Sequence, residues 1–197
     1  MILIVIAMES EAKEIVSLKH PDVDVLVTGI GKVNAAMKLA AYLEKHSVDL
    51  IINLGFVGGN GFELNDIVVI ENATYHDFDL SIFGYQKGQV PHYPAIFETD
   101  KTLFNKLYKT LDKAKKGRLL TGDRFMMETV NTPTVFDMEG AAYYQVAHTY
   151  QIPIVSVKLV SDVIGEDQHL ETYQTFEQTV GAHQLKEIFL KMMEVLL

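Results

Sequence analysis

Three acidic residues of this sequence stand beside apolar segments and have the chemistry of a catalytic site. Glu11 follows the apolar run that opens the chain, Glu139 precedes the apolar segment that starts at Gly140, and Asp162 follows a β-branched run. Taken singly, Glu11 fits a helix N-terminus and Asp162 fits a helix cap. Carboxyl groups brought into one site can divide the work of general acid and general base. We therefore treat them as candidate catalytic residues.

Two glycine-rich segments bear on phosphate binding. In the segment Val27 to Asn34, Asn34 stands where a dinucleotide-binding turn needs its third glycine. The segment Leu54 to Gly61, interpreted here as a loop after a strand, lacks the Gly-Lys-Ser/Thr of a nucleoside triphosphate site. Neither cofactor class is favoured.

Other common catalytic centres have no support in the sequence. There is no cysteine, so thiol chemistry and cysteine-ligated metals are excluded. The seven histidines do not have the spacing of metal ligands, and no Gly-x-Ser-x-Gly motif is present. We predict no metal and no cofactor.

The elements that must position the three acids alternate between strands and helices. Such alternation predicts an α/β domain whose mostly parallel sheet is covered on both faces, and no linker divides residues 1–197. Ligands of such sheets bind beyond the carboxyl ends of the strands. The predicted strands run from Ile2 to Ile6, Val23 to Val27, Leu50 to Leu54, Ile67 to Ile70 and Ile154 to Val160, and the predicted helices from Lys32 to Lys45, Lys101 to Leu111, Gly140 to Tyr150 and Thr175 to Leu197.

Composition excludes several classes of partner. The formal net charge is -9, with lysine and arginine scattered along the chain, which argues against nucleic-acid binding. The opening apolar run lacks a positively charged leader and is far shorter than a membrane span. We expect a cytoplasmic protein with no membrane partner.

Six motifs in register carry a family resemblance over almost the whole chain. In order and approximate spacing they resemble the 5′-methylthioadenosine/S-adenosylhomocysteine nucleosidases of the nucleoside phosphorylase superfamily. The motifs are Ala7 to Glu11, Gly29 to Val33, Tyr75-His76-Asp77, Thr121 to Phe125, Met138-Glu139-Gly140 and Ser161-Asp162.

The resemblance implies a fold, an assembly and a reaction. The fold would be a single-domain three-layer α/β sandwich with a central, mixed, barrel-like sheet flanked by helices. The protein would be a homodimer without a cofactor, acting on a small nucleoside. Glu11 would activate the attacking water, Asp162 would assist protonation of adenine N7, and Glu139 would accept hydrogen bonds from the ribose hydroxyls.

The resemblance also implies the substrate-binding residues. Phe125 would stack on the purine, the Met126 backbone would contact the purine edge, and Ser161 would orient Asp162. Phe56 replaces a small residue of the family, and Lys158 stands at a common arginine position beside the ribose and water. The substrate-binding residues implied are Met8, Ile30, Leu80, Phe83, Pro91, Phe125, Met126, Met138, Lys158, Ser161 and Tyr173.

Three alternative functions stay open at this point. A phosphorylase would need a cationic pocket, and the chain has only two arginines, Arg118 and Arg124. A hydrolase of another purine nucleoside, including a futalosine-like compound, could use the same residues. A non-catalytic nucleoside-binding protein would not need all three acids.

Overall fold

The computed structural model describes residues 1–197, and strands and helices alternate through most of the chain. Six helices, eight strands and one short 3-10 turn are present. The strands are β1 (Ile2–Ile6), β2 (Val23–Val27), β3 (Leu50–Asn60), β4 (Ile67–Tyr75), β5 (Phe97–Glu98), β6 (Lys115–Thr121), β7 (Thr134–Asp137) and β8 (Ile154–Val163). The helices are α1 (Glu9–Ala12), α2 (Lys32–Leu43), α3 (Lys101–Thr110), α4 (Gly140–Tyr150), α5 (His169–Gln178) and α6 (Gly181–Leu196).

The strands form one mixed sheet that closes on itself. Strand β3 pairs with β7 and β8, β7 continues through β6 to β4, and β4 returns to β8. Five strands therefore form a closed barrel, and β1, β2 and β5 extend it. The pairings β3–β7, β4–β8 and β4–β5 are antiparallel and the other five are parallel. The predicted mixed, barrel-like α/β fold is confirmed.

Two apolar layers lie on opposite faces of the sheet. Leu3 and Val5 of β1 belong to a cluster shared with α2 and α4, whereas Ile4 and Ile6 belong to a cluster shared with α3, α5 and α6. Side chains alternate along a strand, so a strand covered on both faces must be apolar throughout. This is why β1 consists only of Ile, Leu and Val.

Three predicted strands are longer in the structure, and three strands were missed. Strand β3 continues through the glycine-rich segment to Asn60, so the interpretation of that segment as a loop was wrong. Strand β4 likewise continues to Tyr75, and β8 continues to Val163. The strands β5, β6 and β7 were not predicted, because β5 has only two residues, β6 begins with two exposed lysines and β7 has only four residues.

The predicted C-terminal helix is two helices. Helix α5 ends at Gln178 and α6 begins at Gly181, where the backbone passes close to the ring of Phe56. A Cβ on Gly181 would lie only 2.4 Å from Cζ of that ring. The break therefore lies where the chain must approach β3 closely.

Candidate active site

Glu11 is held by backbone groups at the end of β1. The helix α1 starts directly after this strand, and its acid is 2% exposed. Its Oε2 accepts from Met8 N at 2.9 Å, and its Oε1 accepts from Phe56 N at 2.7 Å. Burial raises the pKa of Glu11 to about 6, against the lowering by these two hydrogen bonds and by Lys158. At neutral pH this carboxyl group is therefore mainly ionised and fixed in place.

Glu139 enters the same region from the start of α4. Its Oε1 accepts from Gly31 N at 2.7 Å, where Gly31 has a φ of 95° that favours glycine. Burial and the neighbouring charge of Asp137 together raise the pKa of Glu139 to about 8, against the lowering by the Gly31 hydrogen bond and by Lys158. Without a ligand, Glu139 therefore holds its proton near neutral pH.

Asp162 is the second-to-last residue of strand β8 and is 1% exposed. Its Oδ1 accepts from Ser161 Oγ at 2.7 Å, whereas its Oδ2 is buried and has no hydrogen-bond partner. Burial raises the pKa of Asp162. A buried carboxyl group with one free oxygen is suited to carry a proton and donate it to a ligand.

The glycines of β3 make room for these acids. A Cβ on Gly55 would lie 2.8 Å from Glu11 Oε1, and a Cβ on Gly58 would lie 3.1 Å from Asp162 Oδ2. Side chains at either position would displace the carboxyl groups. The glycine-rich segment therefore serves the acids by leaving space beside the strand.

One cavity brings the three acids together at the ends of β1, β3, β7 and β8. Its wall contains every predicted catalytic residue and most of the predicted substrate-binding residues. The lining residues are Ala7, Met8, Glu11, Ile30, Phe56, Val57, Gly58, Arg124, Phe125, Met126, Phe136, Asp137, Met138, Glu139, Ser161, Asp162 and Tyr173.

Comparison with known proteins identifies the family. The model of the phosphorylase superfamily matches residues 10–192 of this chain. The chain belongs to the phosphorylase superfamily. It is therefore an enzyme of the nucleoside phosphorylase and nucleosidase group, which agrees with its barrel and with the resemblance found in its motifs.

Within the phosphorylase superfamily, several relatives are nucleosidases. A 5′-methylthioadenosine/S-adenosylhomocysteine nucleosidase of Bacillus cereus (strain B4264) is 35% identical over 173 residues, covering 80% of this chain and 75% of that protein. The same enzyme of Anoxybacillus flavithermus is 34% identical over 183 residues, covering 85% and 78%.

Solved structures of the superfamily agree with this assignment. The nucleosidase of Colwellia psychrerythraea 34H, in complex with adenine, has a TM-score of 0.90 and 29% identity, covering 99% of this chain and 95% of that one. The nucleosidase of Neisseria meningitidis, in complex with methylthio-immucillin-A, has a TM-score of 0.89 and 25% identity, covering 99% of both chains. A futalosine hydrolase mutant of Helicobacter pylori shares the fold at 20% identity and a TM-score of 0.87.

Phe56 does not fill the cavity. Its ring contacts Phe176 edge-on, with centroids 5.5 Å apart, and points toward Gly181. Its backbone N–H holds Glu11. The large side chain therefore packs between β3 and the junction of α5 and α6, while the backbone of Phe56 binds Glu11 in the site.

Four predicted substrate-binding residues lie outside the cavity wall: Leu80, Phe83, Pro91 and Lys158. Leu80 precedes the 3-10 turn Ser81–Phe83, and Phe83, its last residue, is 74% exposed. Lys158 is buried and pairs with Asp137 at 2.9 Å. Contact of these four residues with a substrate stays a prediction.

Three further residues beside the site were missed in the sequence. Asp137 and Arg124 line the cavity, and the ring of His169 stacks on Phe125 with centroids 5.4 Å apart. Asp137 had a signal, because an acid just before a helix commonly caps it. The positions of Arg124 and His169 depend on chain packing that no local pattern indicates.

No group of three or more His, Asp or Glu side chains is arranged to hold a metal ion. None of the six helices is long and apolar enough to cross a membrane.

Proposed function

We propose that this chain hydrolyses the N-glycosidic bond of 5′-methylthioadenosine, S-adenosylhomocysteine or both, and releases adenine. One observation carries the proposal: two buried carboxyl groups of one cavity are held in opposite roles. Both oxygens of Glu11 accept backbone hydrogen bonds, whereas Asp162 keeps a free oxygen and a raised pKa. The nucleosidase relatives, and the adenine and nucleoside analogue bound to solved ones, support the choice of substrate.

The reaction then follows from the chemistry of the bond. A water molecule attacks C1′ of the ribose, and its proton passes to the carboxylate of Glu11. The bond between C1′ and N9 breaks, and its electron pair moves into the purine, which Asp162 protonates at N7. Glu139 accepts hydrogen bonds from the ribose hydroxyls, and these bonds favour its ionised form. The hydroxyl group remains on C1′, so the products are adenine and a 5-thioribose derivative.

The cavity wall supports the remaining contacts with the nucleoside. Phe125 would stack on the purine, the Met126 backbone would contact its edge, and Met138 would face the ribose. The apolar side chains of Met8 and Ile30, together with Tyr173, suit a thioether. The Tyr173 hydroxyl is 3.6 Å from Met8 Sδ.

The electrostatics of the cavity favour water over phosphate as the nucleophile. Arg124 is the only cationic residue of the wall, and it is paired with Glu128 at 2.7 Å. The nearby ammonium group of Lys158 is paired with Asp137. The ionised Glu11 carboxylate in the same cavity would repel a phosphate dianion.

Purine release separates the candidate functions. We expect the purified protein to release adenine from methylthioadenosine without phosphate, and Asp162→Asn to remove most of that rate. For Glu139→Gln we expect kcat to fall more than substrate affinity, because its contacts strengthen in the transition state. Phosphate-dependent release would indicate a phosphorylase, release only from another purine nucleoside would change the substrate, and no release from any would indicate a binding protein.

We further propose that a second copy of the chain covers an apolar groove between α2 and α4. The groove contains Val33 and Met37, which are 74% and 58% exposed, and Tyr93 lies across from them. The same chain projects Ile82, which is 87% exposed, from the 3-10 turn. An exposed apolar side chain and an apolar groove on the same chain can be buried against each other's copies in a symmetric dimer. Light scattering should give the dimer mass, which Met37→Lys should reduce to the monomer mass; a monomeric wild-type protein would exclude the dimer.

A further inference from the structure

The helix that follows Glu139 is capped by other residues. Glu139 occupies the N-cap position of α4, but its side chain makes no cap hydrogen bond. Asp137 accepts from Gly140 N at 3.0 and 3.1 Å instead, and Thr121 Oγ1 accepts from Ala141 N at 2.8 Å. The hydroxyl of Thr121 in turn donates to Asp137 at 2.6 Å. The carboxyl group of Glu139 is therefore not used for capping; it accepts from Gly31 N and lines the cavity.

A buried lysine holds Asp137 in this capping position. Lys158 Nζ lies 2.9 Å from Asp137 Oδ2, and both side chains are only 3% exposed. Strand β8 carries Lys158 into this position beside Gly55 of β3. Removing one member of a buried ion pair leaves the charge of the other without a partner, so the two side chains depend on each other.

We propose that Asp137 and Lys158 act together as positioning residues for Glu139. Asp137 takes over the capping of α4, and Lys158 pairs with Asp137 and keeps it oriented, so that Glu139 points to the ribose. This proposal rests on the proposed function for the catalytic role of Glu139, but the arrangement itself can be tested without it. Lys158 is not part of the cavity wall in this structure, and the role proposed here does not require it to contact the substrate.

The two charges of the pair affect the catalytic acids with opposite sign. The charged groups that face one another here are Glu11, Asp137, Glu139 and Lys158. Lys158 lowers the pKa of both Glu11 and Glu139, and Asp137 raises the pKa of both. Removing one member of the pair should therefore shift the titration of the site in a direction that identifies the member removed.

The kinetic test compares two single variants with a matched control. Glu11 must be ionised to activate water, so its titration sets the acid limb of kcat/KM against pH. We expect Lys158→Met to move this limb to higher pH and Asp137→Asn to move it to lower pH, each by about half a unit or more. Both should lower kcat more than they raise KM. Lys115→Met removes a partly exposed lysine from its pair with Asp66 and should leave the profile unchanged.

Shifts of the same sign in the two variants, or no shift in either, would overturn the proposal. Lys158→Arg retains the charge and should retain the position of the limb. If Lys158→Met does not fold, Asp137→Asn and the double variant Asp137→Asn/Lys158→Met carry the test. The double variant removes both charges, so its limb should lie between those of the single variants or close to wild type.

An NMR measurement separates this proposal from the proposed function. In Asp137→Ala we expect the amide proton of Gly140 to exchange at least about tenfold faster than in Lys115→Met, because it loses its acceptor. We also expect the carboxyl pKa of Glu139 to fall, because the charge of Asp137 no longer raises it. If the wild-type protein cleaves no nucleoside, these two readouts still decide the positioning role, and unchanged exchange would refute it.

Discussion

The packing of Phe56 against Gly181 predicts how substitutions at these two positions affect the free energy of unfolding. The Phe56 ring is 7% exposed and contacts Phe176 edge-on. A methyl group on Gly181 would lie 2.4 Å from Cζ and 3.0 Å from Cε1 of this ring. The substitution Gly181→Ala therefore requires a buried ring to move, whereas Phe56→Ala removes the obstacle. The two positions should be energetically coupled.

The expected magnitudes follow from the burial and the contact. Phe56→Ala should destabilise by about 3–5 kcal/mol, as for other buried phenylalanines. Gly181→Ala alone should destabilise by about 1–2 kcal/mol, because overpacking costs about 1–3 kcal/mol and helix propensity returns up to about 1 kcal/mol. In the Phe56→Ala background the closest contact left for the methyl group is Phe176 Cδ1 at 3.1 Å, and Gly181→Ala should change the stability by less than about 0.5 kcal/mol. The coupling energy is then about 1–2 kcal/mol.

Urea unfolding of the wild type, both single variants and the double variant measures this coupling directly. Stability is the appropriate readout, because Phe56 also lines the cavity and its replacement changes activity for separate reasons. Additive effects, within about 0.5 kcal/mol, would refute the packing described here. Additivity would indicate that the Phe56 ring does not pack against Gly181 and instead points into the cavity.

Three other predictions concern the site. Gly55→Ala should lower kcat at least about tenfold by displacing Glu11, whereas Gly59→Ala, whose methyl group would meet a valine at the same 2.8 Å, should lower thermal stability but not kcat. The pKa of Glu11 is raised from 4.5 to about 6, so the contribution of this group to stability is present below pH 4.5 and is lost as pH rises through 6. Relative to the wild type, the Glu11→Gln variant should therefore gain about 2 kcal/mol of unfolding free energy between pH 4 and 7. A stability difference that does not change with pH would contradict the raised pKa. Asn60 forms three hydrogen bonds with the backbone of the loop that follows Met126. The Asn60→Ala variant should therefore raise KM more than it lowers kcat, and an unchanged KM would exclude this role. The control is Asn105→Ala, at an exposed position of α3.

The sequence predicts best where a segment repeats one environment. Every residue of β1 is buried on one face of the sheet or the other, so its composition alone indicates a central strand. Strand β6 failed this test because exposed lysine and arginine alternate with Gly117 and Leu119, which gives no continuous apolar run. The break between α5 and α6 was missed, and the group that packs against it, the Phe56 ring, lies more than one hundred residues away in the chain.

The sequence by itself determined the family and made Glu11, Glu139 and Asp162 the candidate acids, because they fall in motifs whose order along the chain is distinctive. Tertiary structure decided what the environment of each acid is. Burial, backbone donors from β3 and the charges of Asp137 and Lys158 set the pKa values, and these groups come from separate parts of the chain. The orientation of Phe56 and the partner of Lys158 likewise depend on which strands become neighbours when the barrel closes. Such proximity is a property of the folded chain, since no local pattern encodes which distant groups will share a buried site.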